Sequence, residues 1–259
     1  MRSTGTPRTT LFSASLVALA LLLPVSTQAQ SAGNGLTNLI DSIFSGPNAT
    51  PPQAATGQDG AAPPWSGEDG ASGHPLMTAA AIRQAASDFP NCVAAMWPDA
   101  ARRNITQQNF ERFTAGLQPD LRIMDLMDSQ PEFTKAIWDY LDILVSDTRL
   151  AKGREILAKY KQQFDATERA YGVDRYIIAA IWGIESNYST QMGDRNVVQS
   201  TATLACIGRR QAYFKDEFLS ALEILNRGDL RPEQMRGSWA GAFGPTQFMP
   251  TAFKHIGRA

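Results

Sequence analysis

The chain has 259 residues, 43% hydrophobic and 19% charged, which excludes a wholly disordered polypeptide. Lys and Arg total 24 against 25 Asp and Glu, a formal charge of −1, so no basic field advertises nucleic acid. With 2 His and 2 Cys, and no Cys-x-x-Cys or His-Glu-x-x-His, a typical four-ligand structural zinc site far from carboxylates is not expected. With neither a Walker loop nor a Gly-x-Gly-x-x-Gly turn, a nucleotide enzyme is not expected.

In chain order, Arg2 and Arg8 bracket a polar start before the apolar stretch Leu11 to Val25. That stretch falls short of the roughly 20 residues that span a bilayer. Ser26-Thr27-Gln28-Ala29 follows, so residues 1–29 read as a signal peptide cleaved after Ala29. An uncleaved membrane anchor is the alternative. No Cys follows the apolar stretch to carry a lipid, and an exported, periplasmic protein is expected.

Residues 30–75 read as a flexible tether, because 29 of the 45 residues from Ser31 to Pro75 are Gly, Ala, Pro, Ser or Thr. One apolar cluster within it, Leu36, Leu39, Ile40, Ile43 and Phe44, has helical spacing and suits either a docking contact or a transient helix. Folding is expected from Leu76 to Ala259.

From there the apolar spacing is helical throughout. Ala79 to Ala95 carries Ile82, Ala85, Ala86, Phe89 and Val93 at steps of three and four, and Pro90 divides it into two short helices. Thr106 is a fitting N-cap for a helix reaching Leu117 through Phe110 and Phe113. Pro131 to Val145 and a single long helix from Leu150 to Tyr171 come next, followed by an apolar helix opened by Asp174 and ending at Ser186. Gln211 to Leu225 gives another. Alternating β-branched stretches are missing, so the fold class is all-α.

Two places carry the chemistry. Glu185 stands four residues after Ile181 and three after Trp182, on an apolar face near a helix C-terminus. Burial and the macrodipole would both raise its pKa, which suits an acid that donates a proton near neutrality. A structural Glu paired with Arg209 or Arg210 is the other reading. The second place is Arg236-Gly-Ser-Trp-Ala-Gly-Ala-Phe-Gly-Pro-Thr-Gln-Phe-Met-Pro250, too rich in Gly and Pro to be one helix. Trp239, Phe243 and Phe248 offer faces for sugar C–H groups, with Ser238 and Gln247 for hydroxyls. An Ω-like loop packed by its own aromatics fits equally well. Cys92 and Cys206 pair as a disulfide if exported, closing a loop of about 114 residues, or remain two buried thiols.

The blocks Gln130-Pro-Glu-Phe-Thr, Trp138-Asp-Tyr-Leu, Tyr171-Gly-Val-Asp, Ala180-Ile-Trp-Gly-Ile-Glu-Ser-Asn-Tyr, Gly193-Asp, Ala202-Thr-Leu-Ala, Arg209-Arg-x-x-Tyr-Phe and Arg236 to Pro250 occur in one order. Together they resemble the lytic murein transglycosylases of the B type, over about Phe89 to Ala259. The resemblance implies a goose-type lysozyme-like helical fold, with an N-terminal helical subdomain at 76–170 and a catalytic core at 171–259. It implies cleavage of the β-1,4 bond between N-acetylmuramic acid and N-acetylglucosamine in peptidoglycan, without water, leaving 1,6-anhydromuramyl ends. Glu185 takes the place of the family's single catalytic acid. Ser238, Gln247, Phe248, Met249, Arg209, Arg210 and Tyr140 take the places of its substrate contacts.

The resemblance calls for no cofactor and no nucleic acid. It points to glycan strands as substrate, to cell-wall synthesis or division proteins as candidate partners, and to a monomer. The family pattern continues beyond Gln-Phe-Met-Pro with a cation loop of Asp-x-Asp-Gly type and an Asn-Tyr-Leu/Phe block. This chain ends at Ala259, so a fragment of a longer gene product is expected, with natural truncation as the alternative; no metal ligand set is visible. Two other functions stay open. A lysozyme-type hydrolase would need a second acid, for which Asp194 is the candidate, and a non-catalytic peptidoglycan-binding or scaffold protein would need none.

Overall fold

The structure is a computed structural model that describes residues 64–128 and 136–256, all within the compact unit Ala49–Ala259. The expected signal peptide and most of the expected tether lie outside the described residues, as does the Leu36 to Phe44 cluster. Residues 64–75, the end of the expected tether, are mostly exposed but tied to the helices at Trp65 and Ser66. Trp65 lies against the core with the Arg83 guanidinium 5.3 Å from its ring centre, and both the N–H and the hydroxyl of Ser66 donate to Asp125. The Gly-rich composition hid this anchoring, because one aromatic and two hydrogen-bonding side chains suffice to fix a short segment.

Helices follow in the order the spacing predicts, with additions. They are α1 (Ala79–Ser87), α2 (Phe89–Ala94), α3 (Trp97–Arg102), α4 (Gln107–Thr114), α5 (Arg122–Asp128), α6 (Ile137–Leu144), α7 (Asp147–Lys159), α8 (Lys161–Tyr171), α9 (Arg175–Ser186), α10 (Val197–Cys206), α11 (Gln211–Arg227) and α12 (Pro250–Ile256). Pro90 sits in the first turn of α2, where its missing N–H costs nothing. Thr106 caps α4, its hydroxyl accepting from Asn109 N–H at 3.2 Å.

The single helix expected over Leu150 to Tyr171 is two. It breaks at Tyr160 (φ −106°, ψ 28°), and both pieces, α7 and α8, then pack along α9. Tyr160 marks the bend by meeting Trp182 of α9, with ring centres 5.7 Å apart. Arg175 pins the start of α9 to α8 by ion pairs with Asp165 and Glu168. Hydrogen bonding to Lys161 first and Arg175 next holds Asp165 below the usual carboxylate range, and Arg175 does the same for Glu168.

α10 is the central helix, and the spacing argument did not find it. Gln199 alone of its residues escapes full burial, so no polar face breaks the pattern into a readable stripe. Its Thr201 and Thr203 hydroxyls donate to the carbonyls of Val197 (2.7 Å) and Gln199 (2.8 Å), which satisfies buried polar groups within the helix. α10 lies along α11, and around them one core gathers Met77, Ile82, Phe89, Ile123 and Met124 from the first helices with Leu204, Phe218, Leu222 and Phe243. That core draws on both sides of the expected 170/171 boundary. Cys92 of α2 and Cys206 of α10 form the disulfide, S–S 2.05 Å and Cα–Cα 6.0 Å, which settles the alternatives left by the sequence.

Among the described residues, strand is confined to one antiparallel pair, β1 (Arg195–Asn196) with β2 (Arg236–Gly237), in register Arg195 to Gly237. Among the described residues no helix is long and apolar enough to cross a membrane.

Candidate active site

α9 delivers Glu185 in its last turn, and the sequence explains why. Asp174 opens the helix by accepting from Tyr176 N–H at 2.6 Å, and Asn187 closes it in the left-handed conformation (φ 47°). Ala179, Trp182, Gly183 and Ser186 face inward. Glu185 lies on the opposite side with Ile181 (45% exposed) and Ile184 (44%), and is itself exposed. The burial expected for Glu185 is therefore corrected: no described residue covers this face, and Trp182 turns away from it. The alternative of a structural pair with Arg209 or Arg210 gains no support either. Arg209 donates to the Met127 carbonyl at the end of α5 (2.9 Å), and the Arg210 guanidinium stacks over Tyr213.

Behind Glu185 the chain is held unusually firmly. Asn187, Tyr188 and Ser189 all have positive φ (47°, 56° and 68°), a conformation disfavoured for side-chain-bearing residues and kept only where contacts impose it. Ser186 supplies those contacts. Its buried hydroxyl donates to the Pro245 carbonyl (2.6 Å) and accepts from Ser189 N–H (3.0 Å), while Trp182 Nε1 donates to the Ser189 hydroxyl (2.8 Å). Ser186 thereby ties the helix bearing Glu185 to the Gly-Pro turn of the other motif. Tyr188 enters a notch between α7 and α9, and a Cβ on Gly153 or Gly183 would collide with its ring. Burial pushes the Tyr188 phenol up, against the opposing charge of Arg149.

The Arg236 to Pro250 motif is a loop folded on itself. Ser238 N–H donates to the Ala242 carbonyl (2.7 Å) and the Ser238 hydroxyl accepts from Ala242 N–H (3.1 Å). Phe243 and Phe248 exchange both backbone hydrogen bonds (3.0 and 3.1 Å), and Phe243 is buried. A Cβ on Gly193 or Gly237 would strike backbone, Gly237 and Ala242 respectively, so these glycines serve chain packing. The self-packed loop is thus what the structure contains, and its rim offers polar groups.

Gln247 (φ 48°) commits its amide N–H groups to the carbonyls of Met192 (3.0 Å) and Gly244 (2.9 Å), leaving Oε1 as its group for a ligand. Ser238 retains a hydroxyl hydrogen to donate. Phe248 and Met249 are half-buried, with Met249 packed against the core. Tyr140 lies on α6, its side chain outside what the structure describes. Ser186 and Tyr188 were not singled out from sequence, although both stand inside the Glu-Ser-Asn-Tyr block. Their identity as bracing residues depends on what lies across from them, which spacing does not report.

Asp194, the candidate second acid, is exposed; the Arg122 pKa is raised first by the hydrogen bonds Arg122 donates to Asp120, with a lesser contribution from the Asp194 charge. Its backbone carbonyl accepts from Arg236 Nη1 at 2.9 Å. Beside it, Asp120 bridges Arg122 and Arg195; burial alone would raise its carboxyl, but these partners outweigh burial and hold it below the ordinary value. Among the described residues no group of three His, Cys, Asp or Glu could hold a metal.

The site is thus an exposed carboxylate at the end of a helix, braced against a self-packed glycine-rich loop in a helical domain. Residues 88–258 match the family described as Transglycosylase SLT domain, and the chain belongs to it. It is 28% identical over 142 residues to membrane-bound lytic murein transglycosylase B of Escherichia coli (strain K12), covering 51% of this chain and 39% of that protein. It is 41% identical to SltB3 from Pseudomonas aeruginosa, solved in complex with NAG-NAM-pentapeptide, with a TM-score of 0.62 over 64% of this chain and 45% of that one. Soluble lytic transglycosylase SltB1 from the same organism is 25% identical, with a TM-score of 0.57 over 65% and 56%. The chain thus spans under half the length of the first two relatives.

Proposed function

We propose that the chain acts on peptidoglycan as a lytic transglycosylase, with Glu185 as its acid. The observation that carries this is the bracing of Glu185: a buried Ser186 fixes its helix end to the loop bearing Ser238 and Gln247. In the reaction the Glu185 carboxyl protonates the leaving O4 of N-acetylglucosamine as the bond from C1 of N-acetylmuramic acid breaks. The C6 hydroxyl of the same muramyl sugar then bonds to C1, and the Glu185 carboxylate takes its proton. One proton is given and one recovered, so a single carboxylate suffices where the nucleophile is intramolecular. Ser238 and the Gln247 carbonyl serve sugar acetamido and hydroxyl groups, Phe248 and Met249 line the cleft, and Arg209, Arg210 and Tyr140 extend the contacts. Export to the periplasm, cleavage after residue 29 and action as a monomer complete the reading.

A hydrolase on this scaffold would need a second acid, for which the exposed Asp194 is the candidate. Mass analysis of the products from purified peptidoglycan decides among the readings. The chain should release 1,6-anhydro ends, and Glu185→Gln should release at least about 100-fold less, the usual scale of a general acid. Reducing ends would establish the hydrolase instead, and glycan binding without cleavage would establish a scaffold protein.

A further inference from the structure

Glu217 of α11 is 1% exposed, and the mechanism above makes no use of it. One residue occupies both its oxygens: Thr251 N–H donates to Oε2 at 2.9 Å and the Thr251 hydroxyl to Oε1 at 2.7 Å. Pro250 has no N–H, so Thr251 provides the first donor of α12, directly after the Gln247-Phe248-Met249 segment. One turn back along α11, Tyr213 lies near Glu217; burial first, and then the Glu217 charge, push its phenol up. The Arg210 guanidinium sits over the Tyr213 ring at 4.5 Å. Thus a single buried carboxylate joins the Arg210 turn on one side to the Gln-Phe-Met segment on the other.

A local Ser or Asp before Pro250 would cap α12 without burying a carboxylate from another helix. A carboxylate reaching across from α11 does something more, because it fixes where α12 begins relative to α11. α12 has a second tie one turn on, where Lys254 meets Ser220 (3.4 Å) and Glu223 (3.1 Å), so anchoring alone does not require Glu217. We propose that Glu217 is a positioning residue that sets two walls of the glycan cleft, the Arg210–Tyr213 turn and Gln247–Met249, relative to each other. This rests on reading those residues as the cleft.

The test uses uncrosslinked peptidoglycan strands, calorimetry and a Glu185→Gln background, so that binding is read without turnover. Adding Glu217→Gln should weaken binding about tenfold, the effect of one lost buried hydrogen bond. It should also remove the coupling between Arg210→Ala and Gln247→Ala, which is non-additive while Glu217 is present. Lys254→Met lowers Tm but leaves affinity within about twofold. Equal affinity with and without Glu217→Gln overturns the proposal, as does Lys254→Met weakening binding equally. Thr251→Val, which removes the hydroxyl bond alone, replaces Glu217→Gln if that variant does not fold. Amide exchange in the ligand-free protein keeps the two readings separate. Glu217→Gln should speed exchange at 210–214 and 247–251 together, and unchanged exchange there sinks the positioning role. A parent that binds no strands sinks the assigned function, and the exchange result still decides Glu217.

Discussion

α9 and α10 are both rich in apolar residues, yet they end in opposite environments. Nearly every residue of α10 is buried, and its partner α11 buries Phe214, Phe218, Leu219, Leu222 and Ile224. α9 buries one side only, leaving Tyr176, Ile177, Ile181 and Ile184 exposed, and α6 likewise exposes Ile137, Trp138, Leu141 and Ile143. Apolar content selects a helix for packing, but what lies opposite determines which of its faces is packed. The site is divided along the same line. Met249 rests on the packed core and Ser238 and Gln247 belong to the same self-packed loop, whereas Glu185 stands on the open side of α9 and is oriented from behind.

The contrast can be broken by substitution. Phe218→Ala, at a fully buried position of α11, should cost about 3–5 kcal/mol in denaturant unfolding, whereas Ile184→Ala should change stability by under about 0.5 kcal/mol. Equal losses would mean that the open face of α9 is covered in solution. Cys92→Ser should follow at about 2–4 kcal/mol, because the bridge closes 114 residues between α2 and the packed α10. A shift in Tm confined to oxidising conditions checks it.

The next loss is pH-dependent. Asp120 has a folded pKa below its ordinary 3.8, so its contribution is complete above that value and fades as pH falls through the folded pKa. Asp120→Asn should destabilise by about 1–3 kcal/mol near neutrality and by progressively less below pH 3.8, seen as a flattened acid limb of the stability curve.

Much of this was legible in the sequence, for identifiable reasons. Thr106, Asp174 and Pro90 act through their own backbone neighbourhood, so they mark helix starts wherever they fall. Cys92 and Cys206 were legible as a candidate pair because the chain has 2 Cys, and the bond between them is present. Among the features that escaped are the helix over Val197–Cys206, the break at Tyr160 and the anchoring of Trp65. Each depends on partners distant in sequence. For the site, the residue types were readable but the exposure of Glu185 was not. A 3.6-residue period shows which residues share a face and is silent about whether another element lies on it.

The Tyr188 notch fixes the rotation of α9. Glycine stands at Gly153 in α7 and Gly183 in α9, with Lys152, Arg154, Trp182 and Ile184 as immediate neighbours that could not admit the ring. Sliding either helix by one residue would close the notch. The two helices are therefore indexed to each other like a key in its ward, and Glu185, two residues past Gly183, takes part of its bearing from that fit.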